Sequence, residues 1–299
     1  MKEKYFKYVK NHYKNSFENK TCFLIGGTGG TGKALATYMS FLKINLILAA
    51  RNLDEAEKIK NELTNKYHNK IEIIKFDFLN DEILEEAYLK IKDRKIDFFF
   101  NDAGIYHQKI KYIDGKEITN LVNFIRPIQL ITKLSRLENF KETRFINVAS
   151  ISYKFVKSQT DISKKPSKIK TLHYALSKRM LVLSSLMLKK EGLNIVLAHP
   201  GISTTNLFSK KNNAFPKIFY ILIVPLMKII FMNQEKAALS LLNAINNDYH
   251  LNERSGPRGF LHCWGYPNKQ KFDKKIIKDL NNPQIIKFIE NEVKQWRKH

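Results

Sequence analysis

The chain has 299 residues, 43% of them hydrophobic and 12% aromatic, with 52 Lys and Arg against 28 Asp and Glu, a formal net charge of +24. That length and apolar content suit one large folded domain, while 12 Gly, 8 Pro and 2 Cys exclude a collagenous, disordered or disulfide-stapled chain. The charge is dispersed, with no run of five like charges and no zinc-finger or RNA-binding motif, so it reads as a solvated basic surface with no nucleic-acid partner.

The N-terminus, Met1-Lys-Glu-Lys-Tyr-Phe-Lys7, is charged from its second residue and lacks the apolar core of a signal peptide, so a cytoplasmic protein is expected. Residues 1–19 read as a short amphipathic helical extension. From residue 20, short apolar runs alternate with longer amphipathic stretches. Strands are predicted at Thr21–Ile25, Ile44–Ala50, Ile71–Phe76, Ile96–Phe100, Arg144–Ala149 and Asn194–His199. Helices are predicted near 31–43, 53–66, 81–92, 115–136, 171–191 and 234–247. Strands apolar on both faces require helices on both sides, which defines one doubly wound α/β domain over 20–266. Trp264 and Tyr266 are placed in a last strand and its exit, and 267–299 is read as a tail of one or two polar helices broken near Pro283. Cys22 and Cys263 lie far apart without ligand spacing, so no metal site is expected.

Between the sixth strand and the next helix, 202–232 reads as an insertion. Its apolar stretch Ile218–Met227 holds Pro225 and sits between Lys217 and Lys228, and its ten residues are too few for a span, which takes about 20.

Immediately after the first strand comes Gly26-Gly-Thr28-Gly-Gly30-Thr31-Gly32-Lys33, leading into a helix. Glycines there let the backbone turn tightly and approach a pyrophosphate, and the helix N-terminus offers unpaired N–H groups. At the end of strand two, a carboxylate would bind the ribose 2′-hydroxyl of NAD; Ala49-Ala-Arg51-Asn52 instead presents a guanidinium, which favours the 2′-phosphate of NADP. A Tyr and a Lys four residues apart share a helix face, so the ammonium can lower the phenol's pKa for proton exchange with an alcohol or carbonyl. Four of the 13 tyrosines have this spacing: Tyr88/Lys92, Tyr112/Lys116, Tyr153/Lys157 and Tyr174/Lys178. Only Tyr174 opens the helix after strand five, whose end Asn147-Val-Ala-Ser150 puts a hydroxyl at the carboxyl edge of the sheet.

With these motifs in this order, the chain resembles the short-chain dehydrogenase/reductase family over about residues 20–265, with closest likeness to its retinol-dehydrogenase-like and carbonyl-reductase branch. Gly26, Gly30 and Gly32 match the family's glycine turn, with Ile25 in place of its Thr. Asp77 of Phe76-Asp-Phe78 matches the acidic adenine position, and Asn101-Asp-Ala103-Gly104 matches N-N-A-G with Asp102 in place of the second Asn. Asn123 matches the structural and proton-relay asparagine; Ser150, Tyr174 and Lys178 match the catalytic Ser and Y-x-x-x-K; Pro200, Gly201 and Thr205 match the segment that grips the nicotinamide carboxamide.

The resemblance implies a Rossmann domain with strand order 3-2-1-4-5-6-7, a carbonyl/alcohol substrate, and NADP(H) in preference to NAD. Its cofactor set is Gly26, Thr28, Gly30, Thr31, Gly32, Arg51, Asp77, Phe78, Asn101, Ala103, Gly104, Tyr174, Lys178, Pro200, Gly201 and Thr205. Its division of labour has Ser150 holding the substrate oxygen, Tyr174 exchanging the proton, Lys178 lowering the tyrosine's pKa and binding the nicotinamide ribose, and Asn123 holding a relay water through its backbone. It also implies that 202–232 is a lid and pocket wall over a fairly apolar substrate, with membrane-surface contact of 215–232 as the alternative, and that two copies pair through family helices α4 and α5. Two rival readings stay open: a non-catalytic dinucleotide-binding regulator of the same fold, and reduction of an activated C=C bond. His173 reads as a capping or surface group, Asp102 either titrates near the cofactor or replaces an amide hydrogen bond, and Arg126 has no physical account at this stage.

Overall fold

The computed structural model describes residues 1–13, 17–106, 110–157, 170–201, 232–259 and 264–294. Helix α1 (Glu3–His12) leads into β1 (Thr21–Ile25), α2 (Gly30–Phe41), β2 (Asn45–Ala50), α3 (Leu53–Tyr67), β3 (Ile71–Lys75), α4 (Asp81–Ile91) and β4 (Phe98–Asn101). A two-stranded hairpin, β5 (Tyr112–Ile113) and β6 (Lys116–Glu117), precedes α5 (Ile118–Asn120), a π-helical segment Leu121–Ile125 and α6 (Arg126–Leu134). Then follow β7 (Arg144–Val148), α7 (Lys170–Lys190), β8 (Ile195–Ala198), α8 (Gln234–Asn246), β9 (Glu253–Pro257), β10 (Pro267–Lys271), α9 (Lys274–Leu280) and α10 (Pro283–Lys294).

Eight strands form one sheet in the order β10-β9-β8-β7-β4-β1-β2-β3, parallel except for β10, which runs antiparallel to β9. Counting only the strands of this sheet, the expected 3-2-1-4-5-6-7 order is present, extended by one edge strand. Alternation explains the two-sided cover. Cys22 and Leu24 of β1 belong to the core under α2 and α8, while Phe23 and Ile25 belong to the core under α4 and α6. Phe98 and Phe100 against Phe99, and Ile146 and Val148 against Phe145, repeat the division on β4 and β7.

Both ends of the chain share this core. Tyr5 and Val9 of α1 are buried with α2 and α8, and Phe6 meets Tyr38 edge-on at 5.6 Å. At the other end, Phe272, Ile276, Leu280, Ile285 and Ile289 join a third cluster with Phe124 and Ile128 and with Met180 and Leu183 of α7. The sequence reading has 267–299 as helices alone, but Pro267–Lys271 pairs with β9 before α9 and α10 begin. Its polar residues carry no apolar alternation because only Gln270 of this edge strand is buried. Trp264 and Tyr266 lie in the connection between β9 and β10, not inside a strand; Tyr266 stacks on Tyr8 at 4.7 Å.

The single helix expected over 115–136 is broken into a hairpin, an α turn and a π segment. Pro127 has no N–H, so the ordinary i+4 partner of the Asn123 carbonyl is missing, and the ladder widens there. Among the described residues no helix is long and apolar enough to cross a membrane.

Ile276 is fully buried between the C-terminal helices and α7. Ile276→Ala is expected to lower the unfolding free energy by about 2–5 kcal/mol in chemical denaturation. A loss below about 0.5 kcal/mol would contradict the packing of the C-terminal helices into the core.

Candidate active site

The site gathers at the carboxyl ends of β1, β4, β7 and β8, where an open parallel sheet forms its crevice. The glycine turn leaves β1 with Gly26 at φ +87° and reaches α2 through Gly30 at φ +52°, backbone states that glycine adopts without strain. Space is as restrictive as conformation. A Cβ on Gly32 would lie 2.1 Å from the carbonyl oxygen of Gly26, and one on Gly26 would lie 2.9 Å from the carbonyl carbon of Asp102. The turn is therefore pressed onto both α2 and the loop after β4.

Helices α3, α4, α8 and α9 begin with Asn52, Asn80, Asn233 and Asp273, each of which accepts a first-turn amide through its side chain. Helix α2 begins at Gly29 with no side-chain cap. Its first two amides, those of Gly30 and Thr31, remain available to an anion, while Gly32 N already donates to Gly29 O at 2.9 Å. The residues present fit a dinucleotide's pyrophosphate.

Farther along the edge, Arg51 is exposed at the end of β2, and the Nζ of Lys75 donates to its carbonyl at 2.7 Å. Lys75 was not singled out from sequence; its signal was a lysine closing β3 in register with Ala50. Asp77 folds back to accept the amide of Leu79 at 2.9 Å, and Phe78 is buried edge-on against Phe76. Asn101 does not face the crevice. Its amide is 1% exposed and donates to Asn147 Oδ1 at 3.0 Å, and Asn147 in turn donates to Ser185 Oγ. This side chain ties β4 to β7.

Asn123, wholly buried in the π segment, grips the chain beyond Gly104 from both sides. Its Oδ1 accepts from Ile105 N at 2.8 Å, and its Nδ2 donates to Ile105 O at 2.9 Å and Ser177 Oγ at 3.1 Å. Ser150 caps the short 3-10 turn Ile151–Phe155, accepts from both the amide and the hydroxyl of Ser152, and is hydrogen-bonded with Tyr174. The Nζ of Lys178 donates to Val148 O at 2.8 Å, and a Cβ on Gly104 would be 3.3 Å from it. Ala103 is partly buried beside that glycine.

The electrostatics correct one expectation. The Tyr174 phenol stands above its ordinary pKa, not below it: burial raises it, a hydrogen bond with Ser150 pulls it down, and the Asp102 charge pushes it up. Burial also lowers Lys178 to about 8, against the pull of Asp102. Asp102 itself is raised to about 7 by burial, with Lys178 opposing.

Sequence reasoning missed Tyr106, whose ring meets Tyr174 edge-on at 5.7 Å. His173 is not a surface group. It is 3% exposed, neither ring nitrogen is hydrogen-bonded, and burial lowers its pKa against the pull of Glu117. Arg126 now has an account, pairing with Asp81 at the start of α4 and reaching Gln129. Pro200 and Gly201, the latter at φ +82°, close β8 at the same edge. Thr205 and residues 202–231 of the expected lid, with the apolar stretch 218–227, lie outside the described residues.

A profile of the short chain dehydrogenase family matches residues 20–214. An uncharacterized oxidoreductase of Staphylococcus aureus is 25% identical over 202 residues, 65% of this chain and 82% of that relative. The very-long-chain 3-oxoacyl-CoA reductase of Mus musculus is 27% identical over 110 residues, 37% of this chain and 35% of that protein. Among solved structures, an uncharacterized protein from Mycobacterium paratuberculosis superposes with a TM-score of 0.69 at 18% identity, covering 93% of this chain and 95% of the other. A short-chain dehydrogenase from Sphingobium yanoikuyae in complex with NADPH gives 0.58 at 15% identity, covering 76% and 84%. The chain belongs to the short chain dehydrogenase family and is an NAD(P)-dependent oxidoreductase.

Gly32→Ala forces the turn apart. It is expected to cost about 1–3 kcal/mol of stability and to abolish the rise in melting temperature that saturating NADPH gives the wild type. An unchanged NADPH-dependent rise would contradict the cradle's assignment.

Proposed function

We propose that the chain is an NADP(H)-preferring oxidoreductase interconverting a carbonyl and an alcohol on a fairly apolar substrate, with Tyr174 as general acid and base. The carrying observation is the convergence of Ser150, Tyr174 and Lys178 at one sheet edge, beside a glycine turn whose Gly26 and Gly32 admit only backbone. When bound, the dinucleotide supplies or accepts the hydride. Ser150, already hydrogen-bonded with Tyr174, offers its hydroxyl to the substrate oxygen beside the phenol. Tyr174 gives its proton to a developing alkoxide, or takes one from an alcohol. Lys178 keeps donors for the nicotinamide ribose after bonding Val148, and the hydrogen bond from Ser150 opposes the burial that holds the phenol up. The Asn123 carbonyl, lacking its ordinary helical partner because residue 127 is proline, is suited to hold a relay water.

Arg51 and Lys75, two cations at one strand edge with no acid in place of Arg51, support recognition of a 2′-phosphate. Exposed Phe155 and Leu172 flank Ser150 and Tyr174 and support an apolar substrate, as does the apolar sequence of 218–227. The mouse relative's reduction of a 3-oxoacyl-CoA fits the same reaction class.

The test follows NADPH oxidation with a panel of lipophilic aldehydes and ketones. Tyr174→Phe should lower kcat/KM by about 10²–10⁴. Equal rates for the two proteins above a shared background would refute the role of Tyr174. Separately, Arg51→Asp should weaken NADPH relative to NADH by about 10-fold to 100-fold, the scale of a lost charge-assisted bond to a phosphate. An unchanged ratio would remove Arg51 from cofactor choice.

A further inference from the structure

The feature unaccounted for is a carboxylate inside the dinucleotide cradle. Asp102 stands where the family pattern has an amide, and its Oδ2 lies 3.0 Å from where a Cβ on Gly32 would be, while its backbone backs onto Gly26. Its amide donates to Ile25 O at 3.0 Å, which fixes the residue against β1. Among the described residues no hydrogen bond reaches its carboxyl oxygens. The turn it touches, residues 26–32, contains no titratable side chain. Among the described residues, the charged and titratable groups that face it are Lys178 and Tyr174 of α7. An ionised Asp102 and a pyrophosphate would thus share one cradle, with Lys178 as the shared counter-charge.

We propose that this site takes up a proton on Asp102 when it binds its dinucleotide, so that cofactor affinity is set by the protonation of Asp102. The proposal rests on the dinucleotide reading above and adds its regulation. The balance is simple: the proton comes from solvent, joins one carboxylate oxygen and is released when the cofactor leaves. Protonation removes the like charge and frees Lys178 from its opposing partner, leaving the ammonium to the ribose and the phenol. The burial that lifts Asp102 to about 7 places this exchange within the neutral range. Affinity therefore falls as pH rises past Asp102's ionisation.

The test is infrared difference spectroscopy of the full chain at pH 8, with and without NADPH, using protein labelled with 13C at the aspartate carboxyls. A protonated-carboxyl band should appear on binding, shift with the label, and be absent from Asp102→Asn. In parallel, NADPH dissociation constants for Asp102→Asn and wild type should agree within about twofold at pH 6, with the variant binding up to about tenfold tighter at pH 8. Binding without a label-sensitive protonated-carboxyl band in the wild type overturns the proposal whether or not the variant folds. An affinity ratio equal at both pH values does the same. Absence of NADPH binding in the wild type removes the dinucleotide reading itself, and this inference with it.

Discussion

The contact between Gly32 and the Gly26 carbonyl holds the rest in place. Two backbones meet there with 2.1 Å between a notional Cβ and an oxygen, so no side chain can intervene. This closeness brings the uncapped start of α2 over the end of β1, and the Asp102–Gly104 loop against the same turn. Gly104 in turn sits against Lys178, and Asn123 secures the chain just beyond it. Helix α7 and the glycine turn are thus linked through two glycines and one amide, and loosening the first contact would misplace groups on four strands.

Polar burial gives the site its second constraint. Asn101, Asn147 and Ser185 form a chain of side-chain hydrogen bonds across the sheet, and Asn123 with Ser177 ties the π segment to α7. Such networks fix geometry because breaking either chain would leave a further buried donor unpaired. Arg254 is different: it is fully buried, with none of its guanidinium nitrogens hydrogen-bonded, between the rings of Tyr153 at 5.2 Å and Phe272 at 5.4 Å. Those ring faces compensate part of its desolvation and anchor β9 to the C-terminal helices.

The core of the fold was legible because its signals are local. Cys22-Phe-Leu-Ile25 followed by five glycines within seven residues is a strand and a turn in any context, and Tyr174 stood out from three decoy tyrosines because it alone opens the helix after strand five. What was not legible depends on contacts distant in sequence. Glu253-Arg-Ser-Gly-Pro257 and Pro267-Asn-Lys-Gln-Lys271 have no apolar pattern, and they become strands because β8 offers an edge and Phe272 covers Arg254. His173 was misread because its burial comes from α5, and Tyr106 because its ring reaches Tyr174 across a loop. The direction of the Tyr174 shift was misread for the same reason. Spacing reveals the neighbouring lysine but not how deeply both groups are buried.

The central claim is that hydride passes between a dinucleotide and a carbonyl carbon held by Ser150 and Tyr174. It is tested most directly by NADPH carrying deuterium at the transferable position of its nicotinamide, incubated with the enzyme and a lipophilic ketone, with the product analysed by mass spectrometry and NMR. The account predicts one deuterium on the carbinol carbon. Deuterium on a carbon of a saturated C=C bond, or a labelled cofactor left intact with every carbonyl supplied, would contradict it.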